Sequence, residues 1–222
     1  ITTYVTLKAG SRRIDIKTDF QNNAKDHRFR VLFPTKFKDY TNYADGHYNI
    51  VKRDKYFEKV PKERARVEYF ATQHQSNFVT LTDGKYGVTI ANKGLPEYEI
   101  FKDSTIAITL LRCVGFINKN NLMTRWRMAG PDIATPEAQC LGKNSFEYSV
   151  ILHKKSWEYS YKDAYNFVNP IKAVTIDSTT GELPSRCSIV TLVPDSLILT
   201  AFKKAEDGNG AILRFYNIKD TD

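Results

Sequence analysis

The sequence has few of the residues that build metal sites or nucleophilic active sites. Its 222 residues include three cysteines and four histidines. No C-x-x-C pair, no H-E-x-x-H pattern and no G-x-S-x-G pattern occurs. No apolar run reaches the length of a membrane span either. These absences argue against a zinc knuckle, a metalloprotease helix and a serine nucleophile elbow, so we expect neither a metal site nor a membrane partner for this chain.

The cysteines also bear on the cellular compartment. Cys113, Cys140 and Cys187 are far apart, odd in number and placed in apolar contexts. Such residues are typical of free thiols in a reducing compartment. We therefore predict a cytoplasmic protein without disulfides. Because the chain begins at Ile1 in the middle of a strand-like pattern, we also expect it to be a fragment of a longer protein.

Net charge offers one functional alternative. The formal charge is +8 and the isoelectric point is about 9.2, which is compatible with a basic nucleic-acid-binding β-protein. The lysines and arginines are scattered, however, with short clusters only at Lys52–Arg53 and within 62–66. This distribution favours a solvated basic surface. We therefore expect no nucleic-acid partner.

Short β-prone runs separated by turns dominate the chain. The alternation of apolar and polar residues, as at Ile14 and Ile16, predicts half-buried strands. The Asp83-Gly84 dipeptide predicts a hairpin turn. This pattern indicates an all-β fold, and we expect residues 1–222 to form a single β-sandwich domain. The strands are predicted at Thr3–Leu7, Arg13–Thr18, Arg28–Phe33, His47–Val51, Phe78–Leu81, Gly87–Ala91, Tyr98–Phe101, Thr105–Leu111, Phe146–Leu152, Ile189–Leu192, Leu197–Phe202 and Ala211–Tyr216.

Two short helices interrupt the strands. Apolar residues at helical spacing predict one helix over Tyr159–Phe167, limited by Pro170. Thr135 and Pro136 have the character of an N-cap and a first helical position, which predicts one turn over Pro136–Cys140. The charged, non-periodic stretch 52–66 predicts a surface excursion.

Glu97 and Glu99 are the carboxylates closest to a general acid-base pair. Two residues apart on a strand, they share one face with Cα atoms roughly 6.6 Å apart. Glycosidases use comparable separations, but they place the two groups on opposite sides of the bond that is cleaved. Two carboxylates on one strand are more typical of an exposed face.

Several segments, taken together and in order, carry a family resemblance. They are Asp26–Pro34, Thr82–Gly84, Ala91–Glu99, Leu110–Arg112, Thr135–Gln139 and Lys203–Asp207. With them, the chain resembles the C-terminal β-domain of the family 38 glycoside hydrolases, which comprise α-mannosidases and mannosylglycerate hydrolases. The similarity extends over roughly residues 26–216 and is closest to the bacterial and archaeal branch.

The resemblance implies the fold of this chain and the chemistry of the longer protein to which it would belong, here called the parent. It implies a large antiparallel β-sandwich of the supersandwich, galactose mutarotase-like type, with one or two short helices. It also implies a retaining hydrolase whose Asp nucleophile and zinc ligands belong to an N-terminal catalytic domain that is absent here. The chain alone would then hold no cofactor and would be inactive. Its role would be to pack against the catalytic domain and complete a cleft for a mannose-containing saccharide or mannosylglycerate.

The resemblance further suggests which side chains approach the substrate. The nearest matches to the family's contacts are Tyr43 and Asp45, together with Arg112 at a strand end and Arg125 as a second arginine. The fork of donors on an arginine suits sugar hydroxyls or a carboxylate. An alternative function is a stand-alone carbohydrate-binding module, for which Trp126, Trp157 or tyrosines would form an aromatic platform.

Overall fold

The structure is a computed structural model that describes residues 1–53, 71–119, 129–177, 180–182 and 184–219. Within these residues it contains thirteen strands and one α-helix. The strands are β1 (Thr2–Leu7), β2 (Arg13–Asn22), β3 (Arg28–Phe33), β4 (Thr41–Asp45), β5 (Ile50–Arg53), β6 (Thr72–His74), β7 (Phe78–Thr82), β8 (Tyr86–Asn92), β9 (Glu97–Ile100), β10 (Ile106–Arg112), β11 (Gly142–Lys154), β12 (Leu197–Lys204) and β13 (Ala211–Asn217). The helix α1 spans Tyr161–Val168. The all-β prediction is confirmed.

The chain divides into two compact units. Unit 1 contains Ile1–Asp45 and Val51–Pro170, and unit 2 contains Gly46–Ile50 and Ile171–Asp222. The expectation that residues 1–222 form a single domain stays a prediction.

Unit 1 contains two antiparallel sheets. The larger has seven strands in the order β1-β2-β11-β8-β7-β4-β5, and the smaller has four in the order β3-β10-β9-β6. The longest ladder joins β11 to β2 over ten residue pairs, from Gly142 opposite Asn22 to Ile151 opposite Arg13. In the smaller sheet, Ile106 of β10 pairs with Phe33 on one side and with Ile100 on the other.

The apolar faces of the two sheets form one core. Alternation along each strand sends every second side chain to the same face, and these side chains meet between the sheets as in a sandwich. The buried core residues are Tyr40, Ala44, Val79, Leu81, Ile90, Leu95, Tyr98, Ile106, Ile108, Leu110 and Tyr148. The opposite face of the larger sheet is covered in part by α1, since Phe78 packs edge-on against Tyr165, with ring centroids 6.0 Å apart.

The β7–β8 hairpin has the turn that its sequence predicts. The Asp83 carboxylate accepts hydrogen bonds from the backbone amides of Lys85 (2.8 Å) and Tyr86 (2.7 Å). These two bonds lower the pKa of Asp83. Gly84 has a φ of +88°, a conformation that a side chain disfavours.

Unit 2 contains the β12–β13 hairpin. Its strands pair antiparallel with an irregularity between Leu199 and Ala201, and the connection closes through a bond from the Gly208 amide to the Ala205 carbonyl (3.0 Å). Tyr48 packs edge-on against Tyr216 of β13, with centroids 5.4 Å apart.

Several local predictions need correction. The segment Ile189–Leu192 is not a strand. Ile189 is 81% exposed, so its β propensity is not supported by packing. The turn at Pro136–Gln139 is a 3₁₀ helix, and the side chain of Thr135 makes no capping bond because its hydroxyl donates to the carbonyl of Val114 (3.4 Å). Strands β4 and β6 were not predicted. Most of the predicted surface excursion lies outside the described residues.

The helix prediction holds with a small shift. Helix α1 begins at Tyr161, after a 3₁₀ turn at Trp157–Tyr159. In the part of the chain that the structure describes, no helix combines the length and hydropathy needed to cross a bilayer.

Candidate functional site

Arg112 lies at the rim of a pocket in unit 1. The pocket has a volume of about 360 Å³ and is formed by the residues before and within the start of β3, the end of β10 and the loop that follows β10. Its lining residues are Asp26, His27, Arg28, Arg112, Cys113, Val114, Gly115, Phe116, Ile117, Asn118 and Lys119. Strands β3 and β10 are antiparallel neighbours, so the start of one and the end of the other meet at this edge.

Backbone and side-chain hydrogen bonds hold the pocket in shape. The side chain of Gln139 holds Asp26 at two points: its Oε1 accepts from the Asp26 amide (2.8 Å) and its Nε2 donates to Asp26 Oδ1 (2.9 Å). The Cys113 amide donates to the carbonyl of His27 (2.8 Å). A Cβ at Gly115 would lie 3.1 Å from Gln139 Nε2, so only a residue without a side chain fits there easily.

The thiol and imidazole in the pocket do not form an activated nucleophile. Cys113 Sγ lies 3.9 Å from His27 Nε2, and the cysteine is only 3% exposed. Burial raises the pKa of the Cys113 thiol, helped by Cys140 nearby. The sulfur is therefore a neutral thiol at neutral pH, whereas a nucleophilic cysteine needs a thiolate.

Tyr43 and Asp45 lie on the seven-stranded sheet. Ala44 between them belongs to the core, so alternation directs their side chains to the other face, the one that carries α1. Asp45 is 1% exposed. It accepts hydrogen bonds from Asn77 Nδ2 (2.7 Å) and from the hydroxyl of Tyr165 (2.9 Å). The structure therefore gives Asp45 contacts that join β4 to α1, and it does not bring β4 into the lining of the Arg112 pocket among the residues it describes.

Glu97 and Glu99 lie on one face of β9, as their spacing predicts. Glu99 forms an ion pair with Arg30 (2.6 Å). Glu97 accepts from the hydroxyl of Thr109 (2.7 Å) and lies 3.6 Å from Arg28. Both carboxylates are thus bound to other strands of their own sheet, which supports the interpretation that they stabilise the sheet and do not act as an acid-base pair.

No metal site is formed by the described ranges: nowhere in them do three His, Cys, Asp or Glu side chains converge. The described residues therefore offer no set of ligands for a zinc ion, which the resemblance assigns to the catalytic domain of the full protein. Arg125 and Trp126 lie outside the described residues. Trp157 is 7% exposed and packs edge-on against Tyr161, so it cannot serve as a flat sugar-stacking platform.

Sequence reasoning missed most of the pocket around Arg112. His27, Arg28, Cys113 and Gln139 were not assigned roles. Three of the segments that carry the resemblance, Asp26–Pro34, Leu110–Arg112 and Thr135–Gln139, nevertheless meet there, so their joint occurrence was the available signal.

Known proteins match both the sequence and the fold. The profile of the glycosyl hydrolases family 38 C-terminal domain matches residues 1–117, and that of the family 38 C-terminal β-sandwich domain matches residues 196–222. A protein of Halalkalibacterium halodurans, provisionally named a mannosylglycerate hydrolase, is 37% identical over 221 residues, which are 98% of this chain and 23% of that protein.

Solved structures agree with these matches. An α-mannosidase from Enterococcus faecalis V583 superimposes with a TM-score of 0.80 and 36% identity, over 97% of this chain and 23% of that one. A family 38 glycosyl hydrolase from Enterococcus faecalis gives a TM-score of 0.78 and 36% identity, over 99% and 24%. The chain thus spans about a quarter of the length of these relatives. With the fold and the motif segments in agreement, the chain belongs to the family 38 glycosyl hydrolases and corresponds to their C-terminal domain.

Proposed function

We propose that the full protein is an α-mannosidase-type glycoside hydrolase that cleaves the O-glycosyl bond of a mannose-containing saccharide or of mannosylglycerate. The observation that carries this proposal is the match over nearly the whole chain to a relative provisionally named a mannosylglycerate hydrolase and to an α-mannosidase structure. In this proposal, the retaining and zinc-dependent chemistry belongs to the N-terminal catalytic domain.

This chain would complete the active-site cleft and pack against the catalytic domain. Arg112 is exposed at a strand end and is not part of the buried core of the sandwich. A guanidinium group in that position can donate to sugar hydroxyls without disturbing the fold. Tyr43 and Arg125 complete the proposed set of substrate contacts.

Asp45 receives a modified role in the proposal. Its carboxylate is buried and bound to Asn77 and Tyr165, so contact with a sugar would require it to give up these partners. We therefore propose that Asp45 holds the end of β4 in place behind Tyr43 and acts as a positioning residue.

A cytoplasmic location is also part of the proposal. All three cysteines are free thiols, and Cys187 is exposed. Free thiols on a protein surface are typical of reducing compartments.

The test is kinetic and uses the full-length protein. We expect wild-type protein to hydrolyse an aryl α-mannoside or mannosylglycerate, and Arg112→Ala to lower kcat/KM about ten- to a hundred-fold, because one charged hydrogen bond of about 1.5–3 kcal/mol is lost. Arg125→Ala should have a smaller effect. Arg186→Ala, at an exposed position of unit 2, is the matched control. A lowered melting temperature with unchanged kcat/KM for Arg112→Ala would instead assign it a structural role.

A further inference from the structure

Two arginines lie side by side in the lining of the pocket, on neighbouring strands. Arg28 and Arg112 are directly paired residues of β3 and β10. Like charges in this position destabilise a sheet. Arg28 forms a long ion pair of 3.6 Å with Glu97, a carboxylate that also accepts from the hydroxyl of Thr109 (2.7 Å). Arg112 makes no ion pair with any residue that the structure describes.

The other polar groups of the pocket do not neutralise this pair. Lys119 adds a third cation to the lining, whereas Asp26 is its one carboxylate. Gln139 already holds Asp26 at its amide and at Oδ1. His27 Nδ1 is buried and has no hydrogen-bond partner, although buried polar atoms are nearly always paired. The pocket therefore combines excess positive charge with an unsatisfied polar atom.

We propose that this pocket is an oxyanion-binding subsite, in which Arg28 and Arg112 together bind the carboxylate or phosphate group of a small hydroxylated ligand. Guanidinium groups bind both oxyanions through paired N–H donors. A volume of about 360 Å³ suits a small polar molecule and not a polymer. An anion between the two arginines would convert their mutual repulsion into two attractive contacts.

Anion binding itself does not depend on the hydrolase activity. The assignment of the anion to the substrate does rest on the proposed function, because an anionic group attached to the mannoside would be the natural occupant of a subsite at the cleft edge.

The first experiment is calorimetric titration of the full-length protein with D-glycerate and inorganic phosphate, with glycerol and D-mannose as neutral probes. We expect at least one anion to bind and the neutral probes to bind at least tenfold more weakly. In the double variant Arg28→Gln/Arg112→Gln, anion affinity should fall at least tenfold. The variant Arg28→Lys/Arg112→Lys should recover part of the affinity, since the charge is kept but the forked pair of N–H donors is lost. Preference for glycerate or for phosphate identifies the source of the oxyanion.

Arg30→Gln is the matched control because Arg30 lies on the same strand but is bound to Glu99 at 2.6 Å and does not line the pocket. It should leave anion affinity within twofold of wild type. Absence of anion binding to wild-type protein, equal affinity for neutral probes, or unchanged anion affinity in a folded double variant would each overturn the proposal. Melting temperatures establish folding. If the double glutamine variant does not fold, the variant Arg28→Lys/Arg112→Lys replaces it.

Hydrolysis measured in parallel separates the two proposals. Wild-type protein that binds anions but cleaves no α-mannoside contradicts the proposed function alone. If the double variant instead cleaves anionic and neutral mannosides with the same ratio of kcat/KM as wild type, that result contradicts the oxyanion subsite and leaves the proposed hydrolase function intact.

Discussion

Replacing Gly87 by alanine should destabilise the chain more than any ordinary glycine substitution. A Cβ at this position would lie 2.1 Å from Cε1 and 2.6 Å from Nε2 of His153, far inside van der Waals contact. His153 is itself fixed, since its Nε2 lies 3.0 Å from the hydroxyl of Thr89. Thr89 in turn bonds to Thr80 (2.6 Å) and Ser160 (2.8 Å). The imidazole therefore cannot move without disturbing a buried network.

The size of the effect follows from two contributions. Overpacking a well-packed site costs about 1–3 kcal/mol, and loss of the His153–Thr89 bond costs about 0.5–1.5 kcal/mol. Together they predict a loss of roughly 2–4 kcal/mol in the free energy of unfolding, or a drop in melting temperature of roughly 4–16 °C for a chain of this size. Gly130→Ala is the control, because no atom of the described residues lies within 4 Å of its added Cβ, and it should change stability by less than about 0.5 kcal/mol.

A double-mutant cycle tests the cause, measured by thermal or urea unfolding. His153→Ala removes the ring that the new methyl group would meet. In that background Gly87→Ala should be neutral or slightly stabilising, because alanine orders a strand at lower entropic cost than glycine. If Gly87→Ala costs as much with His153 absent as with it present, the clash is not the cause and the reasoning is refuted.

Four further outcomes are expected. Burial lowers the pKa of His153 below its ordinary value of 6.5. The contribution of the neutral imidazole to stability should therefore be complete above about pH 6.5 and be lost as the pH falls toward the pKa of the folded state. Melting temperatures at pH 5.5 and 7.5 should differ less in His153→Gln than in wild type. A chromogenic disulfide reagent should modify exposed Cys187 rapidly and buried Cys113 slowly, and Cys187→Ser should abolish the fast phase. The isolated 222-residue chain should bind no zinc and hydrolyse no aryl α-mannoside, whereas one zinc per chain with turnover would contradict this expectation. Binding of a labelled oligonucleotide should be weak at physiological salt and weaken steeply with more salt, and a nanomolar, sequence-dependent complex would contradict it.

The sequence predicted the features whose causes are local. The β7–β8 hairpin follows from Asp83 and Gly84, which both lie within the turn itself. Helix α1 follows from apolar residues on one face and a proline beyond its end. The false strand at Ile189–Leu192 shows the limit of this reasoning, because strand propensity has an effect only where a neighbouring strand or a core buries the side chains.

The site depended on contacts between distant parts of the chain. Gln139 clamps Asp26 across 113 positions, and Tyr165 binds Asp45 across 120. No periodicity or turn signal encodes such pairs, so the burial of Asp45 and the shape of the Arg112 pocket could not be read from spacing. The family motifs include the segments that line the pocket but did not show which of them meet.

The polar groups around Asp45 and those around Arg112, both in unit 1, differ in how completely they are paired. Around Asp45 the carboxylate is buried and every contact is made within the chain, so removing it should affect stability first. Around Arg112 the backbone is equally well held, by Gln139 and by the Cys113–His27 bond. Arg112 nevertheless makes no ion pair with a described residue, and Arg28 has only the long contact of 3.6 Å with Glu97. N–H donors that are held in place but lack a partner do little to stabilise the fold itself. This is the arrangement expected of a surface whose remaining hydrogen bonds are completed by a ligand.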